Sequence, residues 1–396
     1  MNNKIDSLAL FGGSPLFFEK LHVGRPNIGS RDRLFERIND ILDRNWLTNN
    51  GECVQELERR IADYLGVKHC IVMCNATVAL EITSRALGLS GEVIVPSFTF
   101  VATAHSLQWQ EITPVFCDIE ASTHTLDPAS IVKMITPRTS GIIGVHLWGQ
   151  PCNVEALASI AEQHNLRLMF DAAHAFGCSH KGQMIGGFGD AEVFSFHATK
   201  FFNTFEGGAV TTNSDELATK IRLMKNFGFA GLDNVVYIGT NGKMNEVSAA
   251  MGLTGLESLS EFISLNYRNY QLYQQQLSDL DGVRLIAYDE SEKCNYQYIV
   301  LEIDEAITAI SRDQLLKLLQ AENIIARRYF YPGCHRMEPY RSYFPHASLL
   351  LPETERLVKR VLLLPTGTAV GCEEISGICE MIRLAIEHGE ALRKKI

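Results

Sequence analysis

Between residues 70 and 212, short apolar runs alternate with helical patterns, and no other feature of the chain limits its fold as strongly. Strand-length runs stand at 70–73, 92–95, 115–117, 142–146, 166–170 and 209–212, and Phe194-Ser195-Phe196 alternates apolar and polar residues. Helical patterns fall between them at 76–87 and 101–109, and again after Asn153, where Val154, Leu157, Ala158 and Ala161 share a face. Strands and helices alternating at these lengths form βαβ units, hence an α/β fold with a mainly parallel sheet and right-handed crossovers. Ligands in such sheets sit beyond the carboxyl ends of the strands. Asn75, Phe100, Asp171 and Ser195 all fall at expected strand ends, and Lys200 lies just past one. One pocket can collect all five.

The flanking sequence organises around this sheet. Residues 1–30 read as loop, punctuated by Gly12-Gly13-Ser14-Pro15 and Gly24-Arg25-Pro26, and helices are expected at 31–44 and 54–65. After 212 the pattern gives a helix at 215–225, a Gly-rich loop at 227–242 and a helix at 246–259 rich in small residues. A long amphipathic helix at about 259–280 reads as a connector. The remainder mixes a strand at 296–303 with helices at 312–322, 354–361 and 373–390. We therefore expect a large domain over 1–260 and a smaller α+β domain over 261–396, to which residues 1–30 can also belong.

Charge and composition exclude several classes. A net charge of -10 argues against a general nucleic-acid or anionic-membrane binder, while leaving room for a local basic pocket. No apolar run approaches the ~18 residues that span a bilayer, and the N-terminus lacks the basic and apolar regions of a signal peptide. The ten cysteines form no CxxC pair and no zinc-like cluster, so no metal is expected and a reducing cytoplasm is the expected compartment.

The residues gathered at the strand ends have complementary chemistry. Lys200 follows an apolar run and precedes Gly207-Gly208; a lysine enclosed there loses solvation, its pKa falls, and it becomes a usable amine nucleophile. Asn75-Ala76-Thr77 opens a helix, where free N–H groups and the helix dipole can hold a phosphate; an ordinary N-cap by Asn75 is the competing reading. Ser195 adds a hydroxyl, Phe100 a flat face, and Asp171 a carboxylate that can otherwise serve only to cap a turn. Together these are the requirements of pyridoxal 5′-phosphate: a phosphate cradle, a ring stack, an acid for the pyridine nitrogen and a lysine for the aldehyde.

At this point the sequence resembles the DegT/DnrJ/EryC1/StrS sugar aminotransferases. The resemblance runs from Leu10-Phe11-Gly12-Gly13 through Trp46-Leu47-Thr48, Asn75-Ala76-Thr77-Val78-Ala79-Leu80 and Pro96-Ser97-Phe98-Thr99-Phe100-Val101-Ala102-Thr103. It continues through Asp171-Ala172-Ala173-His174-Ala175, Ser195-Phe196-His197-Ala198-Thr199-Lys200, Asn241-Gly242-Lys243-Met244-Asn245-Glu246 and Ala326-Arg327-Arg328-Tyr329-Phe330-Tyr331-Pro332. It implies the aspartate-aminotransferase fold (fold type I of pyridoxal-phosphate enzymes), with Lys200 joined to the cofactor aldehyde, Asp171 paired with the pyridinium, His174 near the ring hydroxyl and Phe100 stacked on the ring. Ala76, Thr77 and Ser195 would hold the phosphate, and Asn241 would reach it from the neighbouring subunit of a homodimer with shared sites. Two positions depart from the family pattern: many members have Gln where His174 stands, and most have Arg where Lys243 stands.

The resemblance further implies a transaminase that takes its amino group from L-glutamate and passes it to a keto sugar carried on a nucleotide. Arg327, Arg328, Tyr329 and Tyr331 are expected on the sugar-nucleotide side, where two arginines can answer a pyrophosphate; an exposed Arg pair at a strand end is the plain alternative. The motif set looks most like members that aminate C4 of dTDP-4-keto-6-deoxy-D-glucose to give dTDP-4-amino-4,6-dideoxy-D-glucose, as in pathways to O-antigen lipopolysaccharide and other deoxyamino sugars. A 3-aminotransferase on an isomeric dTDP-keto sugar stays open, as do a lyase on this fold and a non-catalytic regulatory protein that keeps the cofactor.

Overall fold

The computed structural model describes residues 5–396, and the first four residues of the expected N-terminal loop lie outside it. Seven strands form the central sheet: His69–Met73 (β1), Glu92–Pro96 (β2), Thr113–Cys117 (β3), Thr139–Val145 (β4), Arg167–Asp171 (β5), Ala191–Ser195 (β6) and Gly208–Thr212 (β7). Their spatial order is β1-β7-β6-β5-β4-β2-β3. Every adjacent pair is parallel except those of β7, which runs antiparallel to both β1 and β6. Strands β2 and β7 are buried along their whole length, because helices cover both faces of the sheet; continuous apolar runs rather than strict alternation follow from that burial.

The reversal at β7 shapes the functional end of the sheet. Gly208, its first residue, lies opposite Met73 of β1 and Ser195 of β6, so β7 begins where its two neighbours finish. Helix Ala76–Ala86 starts directly beside it, capped by Asn75, whose Oδ1 accepts the Val78 N–H at 2.8 Å. The approach is close: a Cβ on Gly208 would stand 2.7 Å from the Ala76 nitrogen and 2.8 Å from its Cα. Only glycine allows helix and strand to meet there.

Helix Leu259–Leu277 leads on to a three-stranded antiparallel sheet of Val283–Leu285, Ile299–Ile303 and Val361–Leu364, packed by Arg312–Ala321 and Cys372–Glu387. The N-terminal segment joins this part of the molecule. Leu21–His22 pairs in parallel with Ile324–Ile325, and the Glu322 carboxylate accepts the N–H groups of Ala9 and Leu16, each at 2.8 Å. One continuous apolar cluster includes Leu57, Phe202 and Leu253 with Leu277, Leu301 and Ile378, so the two sheets share a core.

Several elements differ from the sequence expectation, three of them informative. The strand expected from 296 begins at Ile299, because Tyr296 has φ 47 and breaks the extended run. The helix expected over 354–361 ends at Leu357, and Val361–Leu364, for which no strand was expected, is a fully buried strand paired with 299–302; four consecutive apolar residues show no period of their own until a partner strand is in place. Helix Pro128–Met134 was not expected, although Asp127 caps it by accepting the Ala129 and Ser130 N–H groups and Pro128 occupies its first turn.

Candidate active site

Lys200 stands in the turn after β6, and both peptide groups of the next residue are tied down. The Phe201 N–H donates to Gln297 Oε1 at 3.2 Å, and its carbonyl accepts from Asn27 Nδ2 at 3.0 Å. Lys200 is half-buried as a residue, yet its amine end is enclosed: Nζ donates to the Tyr298 hydroxyl at 3.1 Å. Loss of solvation lowers its pKa to about 8, against an opposing pull from the Asp171 charge. A substantial share of the amine is therefore neutral near pH 8.

Asp171, the last residue of β5, is 6% exposed. Its Oδ2 accepts the Thr103 hydroxyl at 2.8 Å and its Oδ1 the Ala173 N–H at 3.1 Å. Thr99 stands behind Thr103 with their oxygens 3.0 Å apart; because the Thr103 proton goes to Asp171, Thr99 donates to Thr103. Burial pushes the Asp171 carboxyl above its ordinary value, while Thr103, Ala173 and the Lys200 charge favour the ionised form.

His174 is buried in an aromatic box. It stacks on Trp148 (centroids 5.6 Å apart) and on Phe330 (5.9 Å), with the Tyr298 ring tilted against it at 4.4 Å. Burial first, and the Lys200 charge second, hold its pKa well below the usual histidine value, so the ring is neutral. Its Nδ1 accepts the Trp148 backbone N–H at 3.3 Å, which leaves the proton on Nε2 as a donor. Phe100, just past the end of β2, is 59% exposed, with its ring 6.5 Å from that of Phe330.

The remaining residues complete one end of the sheet. Of the first-turn N–H groups of helix Ala76–Ala86, Asn75 takes up those of Val78 and Ala79, while those of Ala76 and Thr77 have no partner among the described residues. Register pairing through Gly208 links Ser195 and the end of β1 across β7, beside this helix start. Asn241 is exposed on the loop that returns beside β1, where Gly242 accepts the Cys74 N–H at 2.9 Å. Its Oδ1 accepts from Lys243 Nζ at 2.7 Å.

The four residues expected on the substrate side do not behave alike. Arg328 donates to Asp313 at 3.0 Å and covers the Tyr331 ring at 4.0 Å, with the buried Arg312 guanidinium 5.5 Å from the same ring. Arg327 is exposed, with its guanidinium over the Tyr329 ring at 4.9 Å and no acidic partner. Tyr329 stacks on Phe330 at 5.4 Å and so borders the aromatic box. Sequence reasoning missed Tyr298, Thr103 and Gln297. Thr103 closes the conspicuous Phe100-Val101-Ala102-Thr103 run, but Tyr298 and Gln297 lie in the other sheet's sequence and carried no signal.

Fold and site together place an enclosed lysine amine, a buried carboxylate and an open helix N-terminus at one end of an α/β sheet. The sequence profile of the DegT/DnrJ/EryC1/StrS aminotransferase family matches residues 30–383, and the chain belongs to that family. It is 38% identical over 363 residues to the dTDP-4-amino-4,6-dideoxy-D-glucose transaminase of Shigella dysenteriae, covering 92% of this chain and 98% of the relative. It is 35% identical over 327 residues to the GDP-perosamine synthase of Caulobacter vibrioides, covering 81% and 87%. Among solved structures, DesI in the presence of its TDP-sugar product superposes with a TM-score of 0.95 at 50% identity, covering 99% of both chains. The protein is an aminotransferase. No helix among the described residues is long and apolar enough to cross a membrane.

Proposed function

We propose that this aminotransferase works with pyridoxal 5′-phosphate and moves the amino group of L-glutamate to C4 of dTDP-4-keto-6-deoxy-D-glucose, giving dTDP-4-amino-4,6-dideoxy-D-glucose. The observation that carries the cofactor assignment is the enclosed Lys200 amine beside Asp171, at the sheet end where Ala76 and Thr77 keep their N–H groups open. The cradle fits a phosphate by its donors, two backbone N–H groups without a partner at a helix N-terminus, with Gly208 letting strand and helix meet beside them. When bound, the cofactor supplies an electron sink and a carrier for the amino group.

Each residue then has a task. Ala76 and Thr77 donate backbone N–H groups to the phosphate and Ser195 its hydroxyl. Ionised Asp171 keeps the pyridine nitrogen protonated, and Thr103 keeps Asp171 ionised. His174 would donate from Nε2 to an oxygen on the ring, and the exposed Phe100 would supply a flat face for it. Lys200 would hold the cofactor through its aldehyde. Its neutral amine, oriented by Tyr298, then takes and returns the proton at the substrate carbon.

The nucleotide and position follow the relatives at 50% and 38% identity, one solved with a TDP sugar and the other named for the 4-amino product. The GDP-perosamine synthase relative favours a GDP-linked 4-keto sugar as the second reading. Apolar side chains exposed around the 227–238 loop, including Leu232 at 95% and Ile238 at 73%, support a homodimer in which Asn241 reaches the other copy's phosphate. The cytoplasm, with a reducing environment for ten free cysteines, is the compartment we assign.

The test of the cofactor assignment is chemical. Protein loaded with pyridoxal phosphate, reduced with borohydride and digested, is expected to carry the pyridoxyl mass on the peptide containing Lys200. The label on another lysine, or none, would overturn the assignment.

A further inference from the structure

Ser97 and His335 are 238 positions apart in the chain, both are buried, and Ser97 Oγ lies 2.6 Å from His335 Nδ1. The other imidazole nitrogen, Nε2, lies 2.7 Å from Glu355 Oε1, which also accepts from Arg336 Nε at 2.5 Å. A carboxylate at Nε2 requires the proton there, so Nδ1 accepts and the Ser97 hydroxyl donates. Burial lowers the His335 pKa and keeps the ring in this neutral form.

The contact is one part of a wider clamp. The His335 N–H donates to Ser97 Oγ at 3.1 Å, the Cys334 N–H to the Ser97 carbonyl at 2.9 Å, and the Cys334 thiol to the Thr99 carbonyl at 3.3 Å. Turn 333–336 therefore holds the 97–99 backbone at both ends. The two sides differ in how firmly they are otherwise anchored. The 97–99 loop extends β2 of the central sheet and is tied to Asp171 through Thr99 and Thr103. The turn continues the Arg327–Tyr331 segment, whose two arginines and two tyrosines are all partly or fully exposed. Its one deeply inserted side chain, Phe330, packs edge-on against Phe98 at 5.8 Å. Arg327 is held at the far end by two backbone hydrogen bonds with Leu363 (3.0 and 2.7 Å), so release of the clamp would loosen the Tyr331 end of the segment and leave the sheet side in place.

We propose that His335 is a positioning residue for the second substrate: fixed between Ser97 and Glu355, it docks the Arg327–Tyr331 segment onto the loop that carries Phe100, so the keto-sugar half of the reaction depends on it and the amino-donor half does not. The proposal rests on the substrate reading above. The serine–histidine–carboxylate order has the connectivity of a hydrolytic triad, but Ser97 is 0% exposed and offers no surface for a substrate to reach. The chain of bonds is a fastening.

The test uses the loaded protein and the substitutions Ser97→Ala and His335→Gln, each half-reaction being followed separately by cofactor absorbance. In both variants kcat/KM with the keto sugar is expected to fall about tenfold or more, mainly through KM, on the scale of one or two buried hydrogen bonds at a positioned segment. The glutamate half-reaction is expected to stay within about twofold of wild type. The double variant is expected to lose clearly less than the two single losses combined, because both break the Ser97–His335 contact. Calorimetry gives a readout without turnover: the Kd for dTDP, or for GDP if that nucleotide binds wild type, is expected to rise by a similar factor.

Parallel losses in both half-reactions, or a lower Tm with both left intact, would overturn the proposal. If wild type turns over no keto sugar, the substrate reading fails, and the nucleotide Kd alone decides the clamp. Equal nucleotide affinity in wild type and variants, or no binding of either nucleotide to any of them, would then overturn it.

Discussion

The Lys200 amine donates to the Tyr298 hydroxyl across 3.1 Å, joining the turn after β6 to the residue just before strand Ile299–Ile303. The contact orients the one nitrogen on which the proposed chemistry depends. The pKa of about 8 also gives it a measurable signature. Only the neutral amine attacks an aldehyde, so uptake of pyridoxal phosphate by cofactor-free protein should speed up as pH rises, with a midpoint near 8. In Tyr298→Phe the ammonium loses an acceptor, which disfavours the charged form, and the midpoint should move to lower pH. Stopped-flow absorbance across a pH series checks both; an unmoved midpoint would remove Tyr298 from the account of the lysine.

Thr103→Val removes a hydroxyl without changing side-chain volume and leaves Asp171 with one fewer bond to its ionised form. The sign follows directly. Loss of a donor to the carboxylate raises its pKa, so the acid side of the activity profile should shift to higher pH. The rate should also fall by about tenfold or more, as for one hydrogen bond to a buried charge. A pH–rate profile beside wild type is the measurement.

Gly208→Ala tests the phosphate cradle. The added methyl meets backbone atoms of Ala76 at 2.7 and 2.8 Å and has no flexible side chain to displace. The helix start must move, and its open N–H groups with it. Cofactor affinity, followed by equilibrium dialysis, should drop about tenfold or more.

The adjacent arginines should separate cleanly. Arg328 is paired with Asp313 and covers Tyr331, so Arg328→Ala should cost stability, up to about 1 kcal/mol for a partly exposed pair. Arg327 has no acidic partner, and Arg327→Ala should instead raise KM for the nucleotide sugar with little change in Tm. Thermal unfolding and steady-state kinetics on the two variants separate the roles; equal KM effects would show that both reach the substrate.

How much of this was legible in the sequence depends on where each residue's partners lie. Asn75, Asp171 and Ser195 fall at strand ends because apolar runs stop there, and the parallel sheet brings those ends together without further information. Lys200 and Gly208 follow from the same alternation. Tyr298 was not legible, since its place beside Lys200 depends on how the second sheet packs, and no local pattern encodes that packing. Strand Val361–Leu364 was missed, and Val361 taken as a helix end, because a four-residue apolar run has no period of its own until Ile299–Ile303 supplies a partner. The unequal roles of Arg327 and Arg328 were equally hidden: Asp313, the partner that separates them, lies 15 positions upstream of Arg328 on another element.

The central claim is amination of a 4-keto sugar nucleotide at the Lys200 site. Its most direct measurement is turnover of dTDP-4-keto-6-deoxy-D-glucose with glutamate, read by product mass and proton NMR, in wild type and Lys200→Ala. Nitrogen on C4 with wild type and none with the variant is the expected result. Turnover by Lys200→Ala, or a wild-type cofactor band that glutamate does not bleach, would contradict it.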